Sequence, residues 1–428
     1  MTIHVVNTDE TIYSIALKYN VPIKELMEHN AITNPNLLTK GQALLILEPE
    51  VIYQVEAGDS IFSIAQKFGI TEYTLLQNNP QLISASYIYP GQTLNISYTG
   101  EPLGQYLVNG YVYPHIKQDV LNQTVPYLSM LSIFSYGFQP DGQLLPPDDQ
   151  ALLLAANTKG AAPILVLTPL DASGRFSNEL VSQMLNNPDS RETLINNLLS
   201  VMSQKGYYGI DIDFEYVLPE DKEAFISFIG EVKAAMNAAG YKVFVALAPK
   251  TSAEQPGLLY EAHDYKRIGE IADYVFLMTY EWGFAYGPPM GVAPLNKVKE
   301  VLDYAITEIP PEKIIMGIPN YGYDWSLPFL RGDSKAISMG NQEAVQMAMN
   351  LRAEILYDEL AQSPYFYYSD EEGMPHVVWF EDARSIDAKL RTASEYGFAG
   401  VGYWNIMRPF VQNWMLASNL YNIEKFAR

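Results

Sequence analysis

From residue 106 onward, near-continuous apolar runs alternate with amphipathic stretches. The apolar runs span 106–113, 127–138, 162–169, 208–216, 242–249, 273–280, 313–322 and 399–406. Strands that read this way are buried on both faces, as in a parallel sheet covered by helices. The intervening stretches, such as 221–240 (DKEAFISFIGEVKAAMNAAG) and 295–309 (LNKVKEVLDYAITEI), place apolar residues at helical spacing. Eight such strands in just over 300 residues predict an α/β chain folded as a (β/α)8 TIM barrel. A doubly wound open sheet is the alternative, but no glycine-rich phosphate turn follows the first run. The interval 326–398 is too long for one connection and its helix. It reads as a helix and then two strands around "DEEG", which predicts a small α+β insert at about 330–382.

The first hundred residues follow a different, repeated pattern. Residues 4–19 (HVVNTDETIYSIALKY) align with 53–68 (YQVEAGDSIFSIAQKF). Ser14, Ile15 and Ala16 match Ser63, Ile64 and Ala65; Leu26 matches Leu75, and Asn30 matches Asn79. "KGQALLI" at 40–46 is echoed by "PGQTLNI" at 90–96. Each copy reads as strand, helix, helix, Gly-Gln turn and strand, a β-α-α-β unit of under 50 residues. The pattern closely resembles the LysM domain. The expected division is module one at 1–48, module two at 51–97, a Gly- and Pro-bearing linker at 98–104, and the barrel at 105–428. The linker predicts that the modules stand apart from the barrel core. The resemblance implies binding of N-acetylglucosamine-containing glycans, peptidoglycan or chitin. It puts the contacts near Asp9–Ile12 and Ala31–Asn34, and near Gly58–Ile61 and Asn79–Ile83.

Charge and composition narrow the partners. The formal net charge is −22, which argues against nucleic acid or any other polyanion. There is no cysteine, hence no disulfide, thiolate nucleophile or cysteine metal site. The five histidines show no metal-ligand spacing, and no cofactor is expected. No basic segment followed by an apolar one marks a secretory signal at the N-terminus. No apolar run is long enough to span a bilayer, so no membrane partner is expected. The chain is expected to be a monomer.

One strand carries the candidate chemistry. In "GIDIDFEYV" (209–217), Asp211, Asp213 and Glu215 alternate with Ile210, Ile212 and Phe214. On a strand this aims three carboxylates one way and an apolar face the other. In a parallel barrel, the C-terminal ends of the strands hold the active site. Carboxylates crowded there cannot all ionise, so at least one is expected to stay protonated near neutral pH. A protonated acid beside an ionised one suits glycoside hydrolysis.

These residues resemble the fourth-strand D-x-D-x-E motif of glycoside hydrolase family 18, the chitinase-like hydrolases. An earlier aspartate of the family motif falls at Tyr208, and "LTPLD" (167–171) stands where chitinases carry serine and paired glycines. The tandem LysM front end and "MTYEWG" look most like spore-cortex-lytic N-acetylglucosaminidases of spore-forming bacteria. That resemblance implies spore localisation and a cortex glycan as partner. It also implies substrate-assisted retaining hydrolysis. Glu215 would be the acid and base, Asp213 would hold the substrate's acetamido group, Asp211 would share a proton with Asp213, and Tyr280 would support the acetamido carbonyl. Trp404 would floor the scissile sugar, with Glu281, Tyr136, Tyr111, Asn320 and Tyr321 as further subsite residues. Trp282 and Trp325 lie on catalytic-face loops and are candidates to line a glycan groove. A chitinase and a silent chitinase-like lectin are the alternatives; silent relatives lose the position of Glu215.

Overall fold

The computed structural model describes residues 1–85, 87–170 and 174–426. Asp171, the last residue of the 167–171 stretch, lies outside them. Eight parallel strands form a closed barrel: β1 (Gln105–Val112), β2 (Met130–Phe138), β3 (Ala162–Leu167), β4 (Gly209–Ile212), β5 (Lys242–Leu247), β6 (Tyr274–Leu277), β7 (Ile314–Pro319) and β8 (Gly400–Trp404). Each pairs in parallel with the next, and β8 returns to β1. All eight correspond to the apolar runs. β4 and β6 are shortest, at four residues each, and the shortening of β4 bears on the acids. Its ladder stops at Ile212, although the Asp213 N–H still donates to the Leu167 carbonyl at 3.0 Å. The chain turns at Tyr216, whose φ is +57°. Only Asp211 therefore sits within the strand, and Asp213 and Glu215 project from its frayed upper end.

Between β7 and β8 lies a five-stranded antiparallel sheet with a helix at Asn341–Leu351. The hairpin around Asp370–Gly373 joins Ser363–Ser369 to Pro375–Trp379. Three further strands, Gly322–Ser326, Ile337–Met339 and Leu356–Asp358, complete the sheet. The first of these follows β7 almost directly, ahead of position 330.

Each N-terminal unit has two principal helices between its strands, and the second adds a short helix at Pro80–Ala85. Thr11 and Ser60 cap the first helix of each copy by accepting from the N–H of Ser14 and Ser63, three residues on. Asn20 and Gly69 end those helices in the left-handed conformation. The repeated asparagine has a structural cause. Asn30 donates to the Leu26 and Leu45 carbonyls and accepts from Leu45 N–H. Asn79 does the same with Leu75 and Asn95. In both copies one buried amide ties the end of a helix to the last strand.

These units do not stand apart from the barrel, contrary to the expectation from the linker. Leu45, Leu47, Ile83 and Tyr98 belong to the same apolar core as the barrel. Gln412, on the last barrel helix, donates to Asn30 Oδ1 and the Ala43 carbonyl at 2.8 and 2.9 Å. On the insert side, Thr39 donates to the Ala353 carbonyl and Ile355 N–H donates to the Lys40 carbonyl. Gly41 lies so close there that a Cβ would come 1.8 Å from the Ile355 oxygen. Between the second unit and the barrel, the Gln77 amide donates to the Pro126 carbonyl and the Gln77 carbonyl accepts from the Tyr127 hydroxyl. A linker's composition reports local flexibility; it says nothing about apolar faces that meet beyond it. Among the described residues no helix is long and apolar enough to cross a membrane.

Candidate active site

The cleft of about 580 Å³ at the C-terminal end of the barrel strands is lined by Asp213, Glu215, Tyr280, Glu281, Tyr111 and Trp404. Asp211 lies just beneath, buried, with Tyr111 donating to its Oδ2 at 2.6 Å. Oδ1 of Asp211 and Oδ1 of Asp213 are both buried with no hydrogen-bond partner. Buried carboxylate oxygens without donors make ionisation of both groups costly. Burial pushes Asp211 up to about 6, with the Tyr111 hydroxyl opposing the rise. Burial and the neighbouring Glu215 and Asp211 hold Asp213 well above the carboxylate range. Burial, with the charge of Glu281, raises Glu215 to about 7. The three titrate as a linked set with protons to spare at neutral pH. The arrangement can supply an acid at Glu215 and negative charge beneath it.

Aromatic side chains frame the acids. Trp404, at the end of β8, is half-buried and meets Phe134, Tyr111 and Tyr113 edge-on, at 5.0, 5.7 and 6.0 Å between ring centroids. Its remaining face borders the cleft. Tyr280 is buried, and that burial, with the charges of Asp213 and Glu215 beside it, keeps its hydroxyl protonated. Glu281 keeps an exposed edge, but one carboxylate oxygen accepts from the hydroxyls of both Tyr321 and Tyr323. Tyr321 thus reaches the site through Glu281.

Four expectations are redirected. Tyr136 is fully buried away from the cleft; its hydroxyl donates to Asp149 and accepts from Lys205. It sits on β2 facing the helices, because neighbouring strand residues point to opposite sides. Asn320 is buried too. Its amide donates to the Asn405 and Arg408 carbonyls, so it braces the segment after Trp404. Trp325 is core, with its indole N–H on the Gly287 carbonyl. The loop Asn79–Ile83 is largely consumed in packing: Asn79, Leu82 and Ile83 are buried and Gln81 is exposed. Trp282 does line the cleft.

The cleft also contains residues that sequence reasoning missed. Tyr216 and Phe284 are exposed aromatics on its rim, and Thr251, Gln255 and Tyr260 form a wall from the segment after β5. The rim aromatics adjoin Glu215 and Trp282 in sequence, which was a usable signal. The wall has no periodicity to read. Tyr208, where the family motif has an aspartate, lies before β4 at the far end of the barrel against Phe426. Its identity does not touch the cleft.

The family model for glycosyl hydrolases family 18 matches residues 173–408, and that for the LysM domain matches 4–46 and 53–97. The chain is 37% identical to the cortical fragment-lytic enzyme of Bacillus subtilis, over 99% of both chains. The crystal structure of the spore cortex-lytic enzyme SleL of Bacillus megaterium superposes with a TM-score of 0.84 at 37% identity, covering 99% of this chain and 98% of that one. A chitinase from Chromobacterium violaceum shares the fold, at 24% identity and a TM-score of 0.68, over 73% of this chain and 98% of that one.

Proposed function

Because the chain belongs to glycosyl hydrolases family 18 and carries paired LysM domains, we propose that it is a spore-cortex N-acetylglucosaminidase. The observation that carries the reading is the linked Asp211–Asp213–Glu215 set opening into an aromatic-walled cleft. It is joined by similarity over nearly the whole chain to cortex-lytic enzymes.

In this reading Glu215 gives its proton to the glycosidic oxygen as the C1–O bond breaks. The carbonyl oxygen of the substrate's own 2-acetamido group forms the new bond to C1, as in the substrate-assisted exception to the two-carboxylate scheme. Asp213 accepts the acetamido N–H and offsets the positive charge of the bicyclic intermediate. Tyr280 donates to the acetamido oxygen, and Trp404 presents an aromatic face to the sugar ring. Glu215, now ionised, takes a proton from water as that water opens the intermediate. Asp211 shares a proton with Asp213 throughout. The LysM pair holds the protein on peptidoglycan, which puts the protein at the spore cortex.

The test is NMR of the first-formed anomer from cortex muropeptides, with reducing-end analysis of the fragments. Retained configuration and N-acetylglucosamine reducing ends are expected. A muramic lactam lacks the free acetamido group. Fragments ending in that sugar, or an inverted product, would overturn the mechanism.

A further inference from the structure

Behind the catalytic strand a buried histidine and a buried lysine hold backbone groups only. His263 is 1% exposed and Lys250 is 1% exposed. The Ala248 N–H donates to His263 Nδ1 at 2.9 Å, and His263 Nε2 lies 3.1 Å from the Phe214 carbonyl oxygen. A backbone N–H can only donate, so Nδ1 is the acceptor and Nε2 carries the proton to Phe214. The imidazole thereby links the ends of β4 and β5. Phe214 stands between Asp213 and Glu215, and its ring stacks with Phe138, Phe225 and Phe228. Its carbonyl belongs to the peptide unit that leads into Glu215, so this bond fixes the plane from which the acid projects.

Lys250 completes the support. Its ammonium donates to the carbonyls of Ala253, Tyr260 and His263 at 3.0, 3.1 and 3.0 Å, using all three of its protons. Those carbonyls span the loop that puts Thr251, Gln255 and Tyr260 on the cleft wall.

We propose that His263 is a positioning residue for Glu215 and that Lys250 anchors the adjoining wall of the cleft, the two acting as one brace behind the site. Burial keeps the imidazole neutral, with its pKa pushed down to about 4, so the bond pattern persists across the working pH range. The proposal rests on the assignment of Glu215 as the acid. A tilt of its peptide by a fraction of an ångström would misplace the proton without emptying the sugar subsites.

The experiment compares His263→Phe, His263→Gln and Lys250→Met with the full-length protein on cortex muropeptides, at a temperature where circular dichroism shows each folded. His263→Phe keeps an aromatic ring and removes both bonds. It is expected to lower kcat by roughly ten- to a hundredfold with KM within about twofold. His263→Gln retains an N–H and a carbonyl at similar reach and should recover most of that loss. Lys250→Met should raise KM more than it lowers kcat, because it frees the wall. Amide hydrogen exchange at Ala248 should accelerate in His263→Phe, a readout that needs no substrate. Wild-type kcat and KM in His263→Phe, a glutamine variant no better than phenylalanine, or unchanged Ala248 protection would each overturn the brace. Failure of the wild-type protein to cleave any N-acetylglucosamine glycan would instead overturn the functional reading, leaving the exchange result to judge the brace. Should His263→Phe not fold, the KM and kcat of the glutamine and methionine variants decide.

Discussion

The Tyr111 hydroxyl on β1 donates a 2.6 Å hydrogen bond to Oδ2 of Asp211 on β4, three strands away around the barrel. It is the one hydrogen bond that opposes the desolvation of this carboxylate. Tyr111→Phe removes it, so Asp211 should bind its proton more tightly, above its present value of about 6. The acid limb of the kcat/KM profile, where the Asp211–Asp213 pair loses its negative charge, should move to higher pH. A pH–rate profile with an unmoved acid limb would count against this pairing.

Glu215→Gln keeps the side-chain shape and cannot move a proton. Turnover should fall by about two to four orders of magnitude while the fold persists. Initial rates on soluble muropeptides, with circular dichroism as control, check this. Near-wild-type hydrolysis would remove Glu215 from its role.

Glu281 acts on Glu215 through charge. Its carboxylate helps raise Glu215 to about 7. With Glu215 as the acid of the proposed mechanism, activity should decline as pH rises through that value. Glu281→Gln removes the neighbouring negative charge, lowers the Glu215 pKa and should shift the alkaline limb to lower pH. A shift in the other direction would contradict the coupling.

The buried acids should cost the protein stability. Asp213 is raised well above the carboxylate range on folding. Its contribution to stability is therefore fully present below the unfolded pKa and is lost as pH rises through the folded one. Asp213→Asn should melt higher than the wild type, by about a few degrees, with the gap larger at pH 8 than at pH 5. Melting curves at the two pH values decide it; a gap that shrinks with rising pH would refute the linkage.

Gln412 joins the first LysM unit to the barrel through two buried bonds. Gln412→Ala leaves the Ala43 carbonyl short of a donor and should destabilise the protein by roughly 1–3 kcal/mol. A chain starting at Gln105 would expose Tyr127, Phe410 and Trp414 and should melt well below the full-length protein. Equal melting temperatures would mean that the shared core contributes little.

The barrel was legible because a strand buried on both faces is apolar at nearly every position, as in 162–169 and 242–249. The clustering of Asp211, Asp213 and Glu215 at the cleft was legible because charge at alternate positions of such a run is costly to bury. What stayed hidden depends on facing and on distant partners. Tyr136 and Asn320 each sit on or beside a barrel strand, yet both point away from the cleft. The strand Gly322–Ser326 mixes Asp and Trp in five residues, and Ile337–Met339 has only three, too few for a period to emerge. His263 and Lys250 fall in a loop whose backbone carbonyls, invisible in a sequence, give them their role.

The docking of the LysM units has a mechanical consequence. A flexible tether would let the cleft sweep a wide arc of glycan around one point of attachment. Here Gly41 is wedged against Ile355 and Asn30 is bonded to Gln412, so anchor and cutting edge form one rigid tool. Such a tool meets the strand at one fixed offset from where it grips. On the proposed function, such a tool would have to let go of a cross-linked wall before each new cut. A loose fragment can turn to suit the tool. On that reading, this docking predicts faster cleavage of short, freed glycan strands than of an intact wall, which rates on the two substrates would check.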